Sequence, residues 1–242
     1  MKDGGSKVFP AKKQRRENKL TPYLFLLPTI LLMGTFIYYP FVKTIGTSFF
    51  LTNATGKAVE FIGLENYQKV FSDSLFIQSI KNTFIYALIQ VPVTIVLAFL
   101  MAMAANKKRK ASWLYELTFA FPMAVSMSVA ALIFKLMLNP QIGIVNHIFG
   151  LDVQWFNGEK TALLSVIILG VWLGLGMDFL YLLSAVRSVP DDLIEAARID
   201  GCPNWKLMFK IYLPIMSPTV FYLICTNLAT AMMMSGPVMV LT

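Results

Sequence analysis

The sequence predicts an all-α, polytopic membrane helix bundle, and three observations carry that prediction. Hydrophobic residues make up 57% of the 242 and charged residues only 14%, with a mean hydropathy of +0.64, a balance that a water-soluble domain does not show. Five stretches stay apolar for the roughly 20 residues that a helix needs to cross a hydrocarbon core about 30 Å thick: Tyr23 to Val42, Thr83 to Ala105, Trp113 to Leu138, Ala162 to Val186 and Ile215 to Gly236. Lysine and arginine gather on one side of those stretches, the pattern of a cytoplasmic face.

Taken in order, residues 1–21 form a polar tail carrying Lys2, Lys7, Lys12, Lys13, Arg15, Arg16 and Lys19. Such a tail is expected in the cytoplasm, either disordered or lying on the membrane surface. The first apolar stretch is too long for a signal-peptide core and lacks a small-residue cleavage site, so it is read as a retained anchor. Residues 22–242 are then one membrane domain. Thr52 to Ser79 is a short outer segment with Gly56 and Gly63 as turn points. Lys107, Lys108, Arg109 and Lys110 follow the second span, and Arg187, Arg198, Lys206 and Lys210 follow the fourth. The net charge of +8 is therefore topogenic and gives no support to nucleic-acid binding. Between the third and fourth spans, Ile142, Ile144, Val145, Ile148 and Phe149 suit a short amphipathic helix on the membrane surface. Gly170, Gly174 and Gly176 in the fourth span allow close helix approach. Pro28, Pro92, Pro122 and Pro218 mark expected kinks.

Enzyme chemistry finds little footing. No glycine-rich phosphate loop ending in Gly-Lys-Ser or Gly-Lys-Thr is present, because Gly56-Lys57 lacks both the upstream glycine and the hydroxyl. His147 stands in an outer segment with no metal-partner spacing, and Cys202 and Cys225 fall in a loop and a span, where a mutual disulfide is not expected. The notable ionisable residue is Asp178, inside the fourth span. It is expected to pair with another helix or with water near the inner end, because an unpartnered charge there costs about 2.5–3.5 kcal/mol. A path for a hydroxyl-bearing solute would need amides, hydroxyls and aromatic faces. By depth the candidates are Trp172, Thr226, Asn227 and Thr230, with Met232 to Met234 as adaptable apolar lining.

The most informative stretch is Ser188 to Pro214. Pro190 suits the first turn of a helix, Asp191 and Asp192 its positive end, and Gly201 its termination, while Pro203 can start a second helix. The first helix is shorter than the roughly 12–15 residues that are marginal alone in water, so a contact outside the segment must hold it. Ala196 and Ala197 let another backbone approach, and Asp191, Asp192 and Glu195 offer carboxylates to a partner's arginine or lysine.

Glu195-Ala196-Ala197, Gly201 after three residues, and Ile211-x-Leu213-Pro214 after nine more resemble the EAA loop of bacterial ABC importer permeases. Asp200 and Trp205 further resemble the carbohydrate-uptake branch. Phe61-Ile62-Gly63-Leu64-Glu65-Asn66-Tyr67, then Phe71 and Asn82-Thr83, is similar to the segment before the second span in MalF- and UgpA-like permeases, and Trp172 with Gly176 resembles the span leading into the loop. The likeness runs from about Pro22 onward; Cys202 departs from the alanine common after the loop glycine, but is also small.

The resemblance implies a MetI-like permease fold in the bacterial cytoplasmic membrane with the N-terminus inside. It implies three partners besides lipid: a second homologous permease, an ATPase dimer that hydrolyses ATP with Mg, and an outer solute-binding protein. No cofactor is expected on this chain itself. The coupling residues would be Asp191, Glu195, Ala196, Ala197, Gly201, Leu213 and Pro214, within residues 188–214. The family's sixth helix, which would return the chain to the cytoplasm, is expected to be missing at the C-terminus. A stand-alone secondary transporter or channel using Asp178, and a membrane scaffold whose loop binds a non-ATPase partner, are the rival readings.

Overall fold

A computed structural model describes residues 20–106, 112–233 and 235–241. Most of the basic tail and the Lys107–Lys110 cluster lie outside the described residues. The chain divides into two compact units, residues 1–74 and 75–242.

In the first unit, α1 (Thr21–Met33) passes through a π-helical turn (Gly34–Tyr38) into α2 (Tyr39–Thr47). The wide turn comes just before Pro40, whose ring cannot donate to the carbonyl four residues back. The outer segment then folds into an unforeseen antiparallel hairpin of β1 (Phe50–Thr52) and β2 (Ala58–Phe61). Gly56 and Gly63 are the expected turn points, with φ of 75° and 59°. Asn66, on α3 (Glu65–Ser72), donates from Nδ2 to the Ser48 and Phe50 carbonyls at 2.9 and 3.1 Å. That amide stitches α3 to the chain entering the hairpin.

Every regular element of the second unit is helical among its described residues. α4 (Ser74–Ala105) begins nine residues before the expected span. The third stretch departs most from expectation: α5 (Ser112–Ala120) and a 3-10 turn (Phe121–Ala124) meet α6 (Met127–Met137) at a bend of 98°. Pro122 helps break the first helix, and Ser126 caps the next by accepting from the Val129 N–H at 3.4 Å. A straight crossing from Trp113 to Leu138 is therefore replaced by a broken pair. The other three marked prolines, Pro28, Pro92 and Pro218, lie inside uninterrupted helices.

The short helix expected around Ile142 to Phe149 is present as α7 (Ile144–Phe149). Its Asn146 turns inward, accepting from Trp155 Nε1 at 2.7 Å and donating to the Val153 carbonyl at 3.0 Å, while Ile148 and Phe149 stay exposed. α8 (Glu159–Arg187) is the central helix, with Leu169, Phe179 and Leu182 fully buried. After it come α9 (Asp191–Ile199), α10 (Asn204–Leu207), a second π-helical turn (Met208–Tyr212) and α11 (Leu213–Met232). This turn again precedes a proline, Pro214. α10 and α11 thus join into one apolar run of 29 residues, Asn204–Met232, beginning earlier than the expected fifth span. α12 (Ser235–Leu241) packs on α6 and α8. Among the described residues, four helices are long and apolar enough to cross a membrane, or five if the bent pair counts as one span.

Candidate functional site

The segment between α8 and α11 is built as an elbow. α8 ends as the Ser188 N–H donates to the Ser184 and Ala185 carbonyls, and Pro190 opens α9 with φ −58° and ψ 131°. Pro190 has no side-chain oxygen to cap the helix, so Asp191 and Asp192 supply the negative charge that the first turn favours. The far end closes through Cys202 N–H to the Ala197 carbonyl at 2.9 Å and Gly201 N–H to the Arg198 carbonyl at 3.0 Å. Gly201 has φ +72°, and nothing lies within 4 Å of where a Cβ would stand. The glycine is thus required by backbone conformation and not by space; a left-handed non-glycine residue costs about 1–2 kcal/mol.

The elbow is held at its feet and open at its tip. Val189, Ile194, Leu207 and Tyr212 are buried, Ala197 and Leu213 are half-buried, and Asp191, Asp192, Glu195, Ala196 and Pro214 are exposed. Ile199 is 86% exposed and Trp205 60%. Ile194 is the one buried position of α9, so the short helix is anchored along a single line, and the rest of its surface is available. Asp191 and Glu195, one turn apart, border a cleft of about 660 Å³ between α9 and the C-terminal end of α4, lined also by Met103 and Arg198. Beside the elbow, Arg187 Nη2 donates to Glu116 Oε1 at 2.5 Å, tying the end of α8 to α5.

Deeper in the unit, polar groups are satisfied internally. Asn227 Nδ2, on α11, donates to Asp178 Oδ1 at 3.1 Å and Oδ2 at 2.9 Å, and also to the Leu223 carbonyl of its own helix at 2.9 Å. Asp178 is 3% exposed and Asn227 9%. Asp178 therefore pairs with another helix, as its cost in an apolar span requires. Trp172 lies elsewhere on α8, its ring 5.6 Å from that of Phe134 on α6. Thr226 and Thr230 donate to carbonyls in their own helix. Of the four residues expected along a sugar path, then, three share α11, but only Asn227 reaches across to α8, and Trp172 faces another helix.

Sequence reasoning missed a second polar set. Tyr86, Gln90 and Thr94, spaced by four on α4, are all buried. Gln90 Nε2 donates to Thr94 Oγ1 at 3.1 Å and reaches the Gly170 carbonyl at 3.5 Å. A Cβ on Gly170 would fall on the Tyr86 hydroxyl, and one on Gly174 would stand 3.0 Å from Thr94 Cγ2. The glycines four apart on α8 thus admit the polar face of α4, the close approach that they were read to allow. Gly176 serves the broken span instead: its Cβ would lie 2.7 Å from the Met123 nitrogen. Among the described residues no group of three or more His, Cys, Asp or Glu could hold a metal ion, and His147 is exposed.

This arrangement of spanning helices around an exposed elbow can be set against known proteins. The chain is 33% identical over 206 residues to the probable ABC transporter permease protein YurN of Bacillus subtilis, covering 82% of this chain and 70% of that protein. It is 30% identical over 226 residues to the sn-glycerol-3-phosphate transport system permease protein UgpA of Agrobacterium fabrum, covering 92% and 74%. A crystal structure of a bacterial ABC transporter involved in the import of the acidic polysaccharide alginate superimposes with a TM-score of 0.72 at 26% identity, covering 88% of this chain and 73% of the other. These relatives do not favour the stand-alone transporter that Asp178 suggested. Residues 94–238 match the family described as binding-protein-dependent transport system inner membrane component, and with most of its length shared with such permeases, this chain belongs to that family.

Proposed function

We propose that this chain is the membrane-spanning permease subunit of an ATP-driven importer for a sugar, an oligosaccharide or a polyol phosphate, and that residues 188–214 couple it to a cytoplasmic ATPase. One observation carries the coupling assignment: α9 is buried at Ile194 alone and presents Asp191, Glu195 and Ala196 outward. The cargo class rests on likeness to UgpA, a permease for sn-glycerol-3-phosphate, and to an importer of alginate.

In this reading the ATPase pair carries the ATP and Mg chemistry, and this chain supplies none of it. Asp191 and Glu195 take charge-assisted contacts from cationic side chains of the ATPase. Ala196 lets its backbone come close, Gly201 makes the turn, and Leu213 with Pro214 leads the displacement into α11. A second, homologous permease completes the path, with Thr226 and Thr230 near it, and an outer solute-binding protein delivers the cargo. The membrane is the bacterial cytoplasmic membrane, and the N-terminus is on its inner side, where the basic residues gather.

Reconstitution into proteoliposomes tests the assignment. Uptake of radiolabelled sugar or polyol phosphate is expected only with the ATPase subunits, ATP and the binding protein all present. Uptake driven by an ion gradient without ATP contradicts it.

A further inference from the structure

We propose that Asp178 and Asn227 form an interhelical clamp that makes α8 and α11 move as one body with the elbow between them, so that both are positioning residues of the transport cycle. The inference rests on the coupling reading of residues 188–214. A force on an elbow inserted between two helices has two outcomes: it splays the helices at their inner ends, or it moves them together. Only the second carries displacement into the bundle.

What decides between them is the directionality of the contact. Met216 and Leu223 on α11 and Leu182 and Val186 on α8 belong to one buried apolar cluster, and apolar contact is non-directional, so it resists sliding weakly. Tyr181 and Tyr222 meet with ring centroids 5.5 Å apart and share a side-chain hydrogen bond, a second polar contact between the same helices, but both side chains are exposed and neither is an acid buried in the bundle. The Asp178 carboxylate is different. Both its oxygens lie within 3.1 Å of one amide nitrogen, and the Leu223 carbonyl holds that amide in place from its own helix. Displacing one helix past the other by two residues, about 3 Å, stretches both contacts to roughly 4 Å, beyond hydrogen-bond range.

The pair also resists opening. The ion pairs of Lys69 with Glu65 and of Arg187 with Glu116 do not involve Asp178, which accepts from the Asn227 amide. Asp178 is 3% exposed, so breaking the contact strips a buried carboxylate of its amide donor, at a higher cost than losing a hydrogen bond between neutral groups. The clamp lies nine residues, or about 14 Å at 1.5 Å per residue, along α8 from Arg187, far enough from the elbow to hold the two helices along a lever and not only at its root.

The test uses the complete transporter in proteoliposomes, reading substrate moved per ATP hydrolysed together with co-purification of the subunits. Asn227→Asp sets two carboxylates face to face at unchanged volume. It is expected to lower the transport-to-hydrolysis ratio at least tenfold, with the subunits still assembled and basal hydrolysis retained. The exchange D178N/N227D restores one amide and one carboxylate and is expected to recover the ratio to within about threefold of the native protein. Should Asn227→Asp fail to insert, the exchange is expected to restore insertion. A native ratio in Asn227→Asp, or an exchange no better than the single variant in ratio or in insertion, overturns the clamp. Crosslinking of an elbow cysteine to the ATPase in the same preparations separates the two claims, since the clamp can fail while that contact persists, and loss of that contact in the native background would instead defeat the coupling reading.

Discussion

The elbow and the interior of the second unit treat a carboxylate in opposite ways. Glu195 and Asp191 stand exposed on a helix anchored at Ile194, whereas Asp178 is buried and bound twice by Asn227. Interhelical hydrogen bonds between apolar spans contribute only about 0.6 kcal/mol on average, but the cost of leaving that acid unpaired is several times larger. The interior therefore closes its polar groups on one another, and the elbow leaves its own available to a second protein. Under the proposed coupling, the region satisfied internally would transmit force and the region left open would receive it.

The contrast can be broken first at the elbow. Gly201→Val forces a branched residue into φ +72° and should reduce transport-coupled ATP turnover to background while leaving membrane insertion intact; normal turnover in the assembled complex would remove Gly201 from the coupling device. Next in size is Gly176→Leu, whose side chain meets the Met123 nitrogen and the Ala120 carbonyl. Overpacking of this kind costs about 1–3 kcal/mol, so the purified permease should unfold at a lower temperature in detergent, and an unchanged Tm would deny the seating of the broken span on α8. A sharper comparison comes from Glu195→Gln, which keeps the shape and removes the charge. The expected result is a several-fold weaker affinity for the ATPase, steepest at low salt, with no change in permease stability. Smallest of all is Glu116→Gln. The Arg187–Glu116 pair is partly exposed, and such pairs contribute no more than about 1 kcal/mol, so thermal unfolding should shift by a degree or two at most.

The elbow was the more legible region because its punctuation is local. Pro190, Gly201 and Pro203 each act through their own backbone, and all three stand where a helix starts or stops. Asp178 announced itself as an acid within a span, but its partner did not, because Asn227 becomes distinct from Thr226 and Thr230 only once α11 is rotated against α8. The ladder of Tyr86, Gln90 and Thr94 had a readable signal: polar residues every four positions in an apolar span, matching glycines four apart at Gly170 and Gly174. The match between the two spacings shows only once α4 is packed against α8. Pro122 marked a kink, yet nothing local sets a bend of 98°; that angle depends on the fit of the 3-10 turn against Gly176. The hairpin of β1 and β2 was hidden for another reason: three or four residues per strand are too few for alternation to stand out.

The most direct test of the central claim is disulfide or bifunctional crosslinking from single cysteines placed at Glu195 and Ile199, with Cys202 and Cys225 replaced, in membranes containing the whole transporter. The account predicts that both positions capture an ATPase subunit and that ATP changes the yield. Cysteines that react freely with a soluble maleimide yet never capture the ATPase would contradict it.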